Sequence, residues 1–213
     1  MGEIPEAKAE ESVLKKDKRK SVQTSIYQFL LQGLQYPSIE EVLARRFRRW
    51  FAADEACHAA KKASINMRLL HKIVPACVQF AVLNTLLNGW ATAARFQLQG
   101  KCRLAHSCLG EDRLEHYACC PHQLYILNES YVVPAFGTLK QFLGLETVDM
   151  EEAALLAMHC YAVRTLVNSQ RAVGARLQDG AARRSLQIGH QRAMMHSKHL
   201  SAIASKRRRA NFW

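Results

Sequence analysis

The chain has 213 residues and a formal net charge of +12, and its hydrophobic fraction of 49% is ordinary for a globular protein. The charge favours nucleic acid or another anionic surface as a partner and says nothing about the fold. The seven cysteines are clustered rather than spread as a disulfide framework, and no apolar run is long enough to span a membrane. These features predict an intracellular protein without a membrane partner, and the Lys/Arg runs are compatible with a nuclear location.

The N-terminal part predicts a charged tail followed by helices. Residues 1–20 are rich in Glu and Lys and lack the apolar segment of a secretory signal, so we expect them to be disordered. A short helix is expected from Ser21 to Tyr36, and a capping box at Ser38 predicts the start of the next one. That second helix carries four arginines opposite its apolar side, which are either a surface for phosphate backbones or a solvated face: Arg45, Arg46, Arg48 and Arg49.

The middle of the chain predicts a helical core. The stretch from Pro75 to Asn88 is apolar on nearly all sides, which is typical of a helix at the centre of a core. We expect Gly89 to cap this helix. Trp90 and Phe96 are expected to pack near the cysteine-rich stretch that follows, and a core position for Trp90 is favoured over stacking on a nucleic-acid base.

The stretch from Cys102 to Cys120 contains four of the seven cysteines and two of the nine histidines. Thiolate and imidazole together are the usual ligands of zinc, which prefers four of them in a tetrahedron. The favoured ligand set has the spacing C-x5-C-x7-H-x3-C and consists of Cys102, Cys108, His116 and Cys120. Its last two members are four residues apart and therefore share one face of a short helix. Cys119, and after it His106, are the substitutes for one of these ligands.

The helix that carries the last two ligands is expected to begin after Gly110, with Glu111, Asp112 and Glu115 in an acidic first turn. An alternative interpretation of the whole stretch is a set of reduced thiols in a helical core. Free cysteine is among the most buried residue types, so this alternative needs no metal.

Residues 82–121 resemble the zinc-binding region that lies downstream of the polymerase in non-LTR (LINE-type) reverse transcriptases. The matching positions are Cys102, Cys108, Glu115-His116 and Cys120-Pro121, preceded by Asn88-Gly89-Trp90 and Arg95-Phe96. The first cysteine pair of that family is usually closer, which leaves either Cys102 or His106 as the partner of Cys108. The resemblance implies a fragment or decayed copy of such a retroelement, without the polymerase.

The C-terminal third becomes strongly basic. Residues 123–143 predict one or two helices, and Thr147 is expected to cap the longest helix, with His159 and Cys160 in its core face. From Arg164 onward, eleven Lys/Arg oppose one acid, and glycines at 174, 180 and 189 weaken any helix. Residues 172–213 are therefore expected to be basic and weakly structured. The candidate nucleic-acid contacts in this segment are Arg183, Arg184, Lys206, Arg207, Arg208 and Arg209.

The chain lacks the common catalytic signatures. It has no Asp-Asp pair, no P-loop, no HExxH, no GxSxG and no zinc-deaminase pattern. The sequence therefore predicts a non-catalytic protein without a small-molecule substrate. It is expected to bind zinc and, through its arginines, RNA or DNA backbones. The alternatives are a protein-interaction module with a purely structural zinc ion and a decayed retroelement copy without a selected function.

The fold expectation follows from these elements. We expect a mostly α, irregular helical bundle with a small zinc-stabilised loop and helix and with disordered basic termini. The helical domain is expected over residues 21–171, with the zinc site at 102–120 inside it.

Overall fold

The computed structural model describes residues 37–123, 138–147, 149–174 and 176–210, with the backbone alone at 208–210. These parts of the chain are mostly helical, which confirms the expected fold class. Their β-type backbone pairing is limited to one isolated antiparallel bridge between Lys101 and Glu111. None of their helices combines the length and apolar character needed to cross a bilayer. The predicted tail at 1–20, the predicted helix at 21–36 and most of the predicted helices at 123–143 lie outside the described residues.

The described elements are α1 Ile39–Phe47, α2 Ala53–Leu70, α3 Ala76–Leu86, a 3-10 turn Ala94–Phe96, α4 Leu114–Cys119, α5 Leu139–Phe142, α6 Met150–Val173, α7 Asp179–Met195 and α8 Lys198–Ala210. Helix α6 packs against α3 and α7, while α1 packs against α2. The centre of the fold is therefore α6. From the sequence, α3 was expected to be central because it is apolar on nearly all sides.

Helix α6 is central because small alanines alternate with larger apolar side chains on its buried faces, so neighbouring helices can approach closely. Its N-terminal cap is Asp149, whose Oδ1 accepts a hydrogen bond from the Glu152 backbone N–H at 2.7 Å. The expected cap, Thr147, instead donates to the Gly144 carbonyl at 3.1 Å. His159 and Cys160 are buried in the core face, as predicted.

The basic C-terminal segment is ordered into two helices. The expectation of weak structure over 172–213 does not hold for residues 179–210, because α7 and α8 bury apolar side chains, including Leu186 and Leu200, in the same core as α6. Gly189 was expected to weaken a helix, but in the structure it lies where α7 crosses α6. A Cβ at this position would lie only 2.8 Å from the Ala162 Cβ. The glycine that lowers helix propensity by about 1 kcal/mol also permits a close crossing of two helices.

The chain between α3 and the 3-10 turn follows the prediction with one change. Asn88, with φ of 51°, takes the left-handed position after α3 that Gly89 was expected to fill. Trp90 is buried, as predicted, and its indole N–H donates to the Thr85 hydroxyl at 2.8 Å. A fully buried ring cannot stack on a base, so the structure excludes that role for Trp90.

Candidate metal centre

A short hairpin closes the loop that carries the first two cysteines. The Cys102 N–H donates to the Gly110 carbonyl at 2.7 Å, and the Asp112 N–H donates to the Gly100 carbonyl at 2.8 Å. These bonds flank the bridge between Lys101 and Glu111. The five residues between Cys102 and Cys108 therefore form the tip of the hairpin, and both sulfurs turn toward the protein, where the two side chains are buried.

Helix α4 presents the other two ligands. It begins at Leu114, and Cys120 is the residue that follows its last turn, so His116 and Cys120 lie on one side as the four-residue spacing predicts. Only Glu115 of the three expected acids is in the first turn. Glu111 belongs to the hairpin bridge, and Asp112 is buried beneath it.

The structure brings the four predicted ligands together. The ligand atoms of Cys102, Cys108, His116 and Cys120 all lie within 4.8 Å of one another. The Cys120 Sγ is 3.9 Å from the Cys102 Sγ and 3.8 Å from the Cys108 Sγ. Metal–sulfur bonds of about 2.3 Å at tetrahedral angles would separate two sulfurs by about 3.8 Å. The cluster can therefore hold a metal ion.

Without a cation the three thiols cannot all ionise. The hydrogen bond from Cys102, supported by His116, lowers the pKa of the Cys120 thiol to about 4. That same hydrogen bond, together with burial, raises the pKa of Cys102, and burial raises the pKa of Cys108. These shifts favour the thiolate at Cys120 and the neutral thiol at Cys102 and Cys108, whereas a bound divalent cation would favour the deprotonated form of all three.

Neither substitute ligand reaches the cluster. The Cys119 thiol is exposed and contacts the backbone carbonyls of Glu115 and His116 at 3.4 and 3.5 Å. His106 is exposed at the tip of the loop, where its backbone N–H donates to the Leu177 carbonyl at 2.7 Å. Cys102 is therefore the cysteine that pairs with Cys108 in the cluster, despite the long gap between them.

A glycine next to the cluster makes room for the imidazole. A Cβ at Gly110 would overlap the ring of His116, with all of its nearest neighbours in that ring. Any larger residue at position 110 would push the ring away from the sulfurs. Glycine is therefore needed at this position for a steric reason. From the sequence, Gly110 was expected only to be the residue before a helix.

The buried carboxylate of Asp112 connects the hairpin to its neighbouring elements. Asp112 accepts a hydrogen bond from the Tyr117 hydroxyl at 2.7 Å and from the Ala93 backbone N–H at 3.0 Å. The Tyr117 hydroxyl in turn accepts from the Arg103 backbone N–H at 3.0 Å. Burial, with the charge of Asp112, raises the pKa of Tyr117, so this side chain stays a neutral donor. These bonds join the hairpin, α4 and the 3-10 turn.

Arg176 holds the loop through contacts that the sequence did not predict. Its guanidinium donates to the carbonyls of Cys102 at 2.9 Å and Ala105 at 2.7 Å, and also to the carbonyl of Cys108. One side chain from the connection between α6 and α7 therefore holds the loop at both of its cysteines. In the sequence Arg176 is one of eleven basic residues in the C-terminal segment, and no local pattern distinguishes it.

A serine, a histidine and an aspartate also meet beside the loop. The Ser107 hydroxyl donates to Asp179, the first residue of α7, at 2.7 Å and lies 3.1 Å from the His122 Nε2. The hydrogen bond from Ser107 lowers the pKa of Asp179. In a hydrolase triad the serine donates to the histidine and the histidine to the aspartate, so the order of this trio differs. Its evident effect is to fasten the loop to α7.

The predicted nucleic-acid contacts are distributed over separate surfaces. The four arginines of the α1 region, Arg45, Arg46, Arg48 and Arg49, are exposed and have no carboxylate partner among the described residues. Arg183 and Arg184 are exposed on α7. Lys206 and Arg207 instead pair with the acidic start of α6, at 2.8 Å to Glu151 and 2.9 Å to Asp149. The side chains of Arg208 and Arg209 lie outside the described part of the chain.

Comparison with protein-family models, with curated proteins and with solved structures finds no match to this chain.

Proposed function

We propose that the protein binds one zinc ion through Cys102, Cys108, His116 and Cys120, and that the ion has a structural role. The observation that carries the proposal is the convergence of four ligand atoms within 4.8 Å of one another. Three thiolates and one imidazole suit zinc better than magnesium or calcium, which prefer oxygen ligands. With four protein ligands the tetrahedron is complete, and no position is left for a substrate or a reactive water.

The same proposal includes a non-catalytic role in binding RNA or DNA. It is supported by the net charge of +12 and by the exposed arginines of the α1 region, whose charges no carboxylate of the described residues offsets. Such arginines would contact phosphates and release counterions, so affinity should fall steeply with salt. The resemblance of residues 82–121 to retroelement reverse transcriptases agrees with this role.

The zinc part is tested by measuring bound zinc per chain after purification without chelator. The wild type should hold about one zinc ion, since one four-ligand cluster is present. Cys108→Ser and His116→Ala should lose it. Cys119→Ser is the matched control, because this exposed thiol lies outside the cluster, and it should keep the metal. A folded wild type without zinc would overturn this part and leave a helical bundle with buried thiols.

The nucleic-acid part is tested by the affinity for a labelled 20-base-pair duplex between about 50 and 200 mM salt. Replacing Arg45, Arg46, Arg48 and Arg49 with glutamine should flatten the plot of log K against log salt by about 0.9 for each phosphate that the variant no longer neutralises. A zinc-loaded wild type that binds neither duplex nor single strand at low salt would favour the other candidate, a protein-interaction module. Exposed Leu109, directly after Cys108 and with 77% of its surface accessible, would then be a contact for the protein partner.

A further inference from the structure

Two exposed phenylalanines lie beneath arginines that project from α6. Phe96, at the end of the 3-10 turn, is 52% exposed, and Phe80, on α3, is 58% exposed. The guanidinium of Arg171 lies 5.0 Å from the centre of the Phe96 ring, and that of Arg164 lies 5.4 Å from the centre of the Phe80 ring. Cation–π attraction orders each arginine, while about half of each phenylalanine remains in contact with solvent.

The two pairs lie along one side of α6. Arg164 and Arg171 are seven residues apart on α6, which places them on the same side of the helix and about 10.5 Å apart along its axis. Arg95 lies on the same ring as Arg171, with its guanidinium 6.0 Å from the centre of Phe96. We call this surface the Phe/Arg stripe, and its members are Phe80, Arg164, Phe96, Arg171 and Arg95.

The charge around the stripe is positive, because the chain segments that supply its residues contain no acidic side chain. No aspartate or glutamate occurs between Glu55 and Glu111 or between Glu152 and Asp179, the segments that supply every member of the stripe. No salt bridge of the described residues involves one of its three arginines. Glu111, which shares a surface depression with Ala94 and Leu98 next to Phe96, is paired with Arg113 at 3.1 Å. The stripe is therefore suited to a polyanion.

The loop of the candidate metal centre fixes one of the two pairs, Phe96 with Arg171. Asp112, directly after the hairpin bridge, accepts the Ala93 N–H at 3.0 Å through its side chain and the Ala94 N–H at 3.2 Å through its backbone carbonyl. These bonds fix the turn that carries Phe96. Arg176 fixes the loop to the chain just after α6, five residues beyond Arg171. A structural ion at the cluster would thereby keep the Phe96 ring under the Arg171 guanidinium.

We propose that the Phe/Arg stripe binds single-stranded nucleic acid, an inference that rests on the proposed nucleic-acid role and names its surface. An exposed ring can stack on an unpaired base, and the neighbouring guanidinium can contact the adjacent phosphate. A duplex keeps its bases stacked on one another and offers no free face to Phe96. The spacing of the two pairs corresponds to about three stacked nucleotides at about 3.4 Å each, so a short strand can engage both rings.

The test measures the affinity of the zinc-loaded full chain for labelled dT20, U20 and a 20-base-pair duplex by fluorescence anisotropy. Phe96→Ala should weaken single-strand binding by about 5- to 160-fold, the effect of losing one stacked base, and leave duplex binding within about twofold. Leu98→Ala is the matched control, since this neighbouring apolar side chain is 61% exposed and has no ring to stack. Phe96→Trp should restore binding, and an unchanged zinc content verifies that each variant is folded.

The arginine contribution has its own readout. Arg171→Gln should flatten the salt dependence of single-strand binding by about 0.7 in log–log slope, the value for one phosphate contact. Arg192→Gln, an exposed arginine on α7 outside the stripe, should leave this slope unchanged. A selective effect with dT20, with U20 or with both supports the stripe and identifies the strand that it prefers.

Three results would overturn the inference in distinguishable ways. If Phe96→Ala binds single strands as the wild type does while the α1 arginine variants lose affinity, the stripe is not the binding surface but the proposed function stands. If the zinc-loaded wild type binds no nucleic acid at low salt, both the stripe and the proposed nucleic-acid role fail. An equal loss of single-strand and duplex binding in Phe96→Ala would exclude base stacking.

Discussion

The metal loop, residues 102–120, and the C-terminal helices α7 and α8 are ordered by different means. The loop draws all four ligand side chains from one short stretch of chain, so its geometry follows from local spacing. The helices depend on distant partners, as when the Ser197 hydroxyl donates to the Ile73 carbonyl at 2.7 Å. The two regions meet where Arg176 and Asp179 contact the loop. The loop, which is ordered by neighbouring side chains, therefore contacts the start of a segment whose structure could not be predicted from its own sequence.

The largest expected effect is the loss of a metal ligand. Cys120→Ser should abolish zinc binding, and at zinc about 1,000-fold above its dissociation constant this removes about 4 kcal/mol of stabilisation. For a chain of this size the melting temperature should fall by about 8–16 °C. Thermal unfolding followed by circular dichroism measures the change, with Cys119→Ser as the control that should melt as the wild type does.

The same variant tests whether the loop and the C-terminal helices depend on the metal to different degrees. Hydrogen exchange should accelerate in the loop and at residues 176–179, while the amides of α7 that face α6 keep their protection, since their packing does not involve the metal. Equal loss of protection throughout α7 and α8 would show that the helices depend on the metal as much as the loop does.

Removing the link between the regions should have the next largest effect. Arg176→Ala leaves three loop carbonyls without their charged donor and should lower the free energy of unfolding by about 2–3 kcal/mol. It should also accelerate zinc release to a chelator, because the loop loses its support from outside. Urea denaturation and a colorimetric chelator assay measure the two effects. Arg184→Ala, on the exposed side of α7, should change neither.

A pH effect should come from the buried histidines that join α6 to α7. His159 Nδ1 lies 3.0 Å from His190 Nε2, and its Nε2 lies 3.0 Å from the Gln123 Oε1. Burial, with a smaller effect of His190, lowers the pKa of His159 well below its usual value. Its neutral form is therefore favoured in the folded chain. Stability should be fully present above the unfolded pKa of about 6.5 and should fall by up to about 1.4 kcal/mol per pH unit below it.

The measurement is the urea unfolding free energy of zinc-loaded protein between pH 7.5 and 5.5. His159→Asn should show a shallower decline than the wild type, and the contribution of the zinc ligands cancels because both proteins share them. His199→Asn, an exposed histidine on α8, should keep the wild-type slope. Equal slopes in all three proteins would contradict the assignment to His159.

The smallest effect is expected at the ion pairs between α8 and the start of α6. Lys206→Ala removes an exposed pair with Glu151 and should cost less than about 1 kcal/mol. Its effect on nucleic-acid affinity should also be small, since Glu151 already lies beside the charge. A loss of affinity as large as that of an α1 arginine variant would show that α8 contacts the nucleic acid. Anisotropy at low salt, with Lys198→Ala as a second exposed α8 lysine, separates these results.

The cluster of four candidate metal ligands could be predicted from sequence because its determinants are local. The spacing of His116 and Cys120 defines one helix face, and the clustering of thiols beside a histidine is typical of a metal site. The role of Arg176 could not be predicted, because its three acceptors are backbone carbonyls more than sixty residues away, and every sequence supplies such carbonyls. The need for glycine at position 110 could not be predicted either. Only the folded hairpin shows that the His116 ring occupies the space where a side chain at this position would lie.

Periodicity, spacing and composition were enough to predict the helical class, the four candidate metal ligands and the excess of positive charge, because these properties do not depend on which segments pack together. Tertiary structure decided that α6 is central, that 179–210 is helical and that Phe96 and Arg171 share one surface. Lys206 and Arg207 illustrate the reason. Their charge is visible in the sequence, but whether it faces a partner or an internal carboxylate depends on which distant helix packs beside them. That choice is made by the burial of apolar side chains over the whole domain.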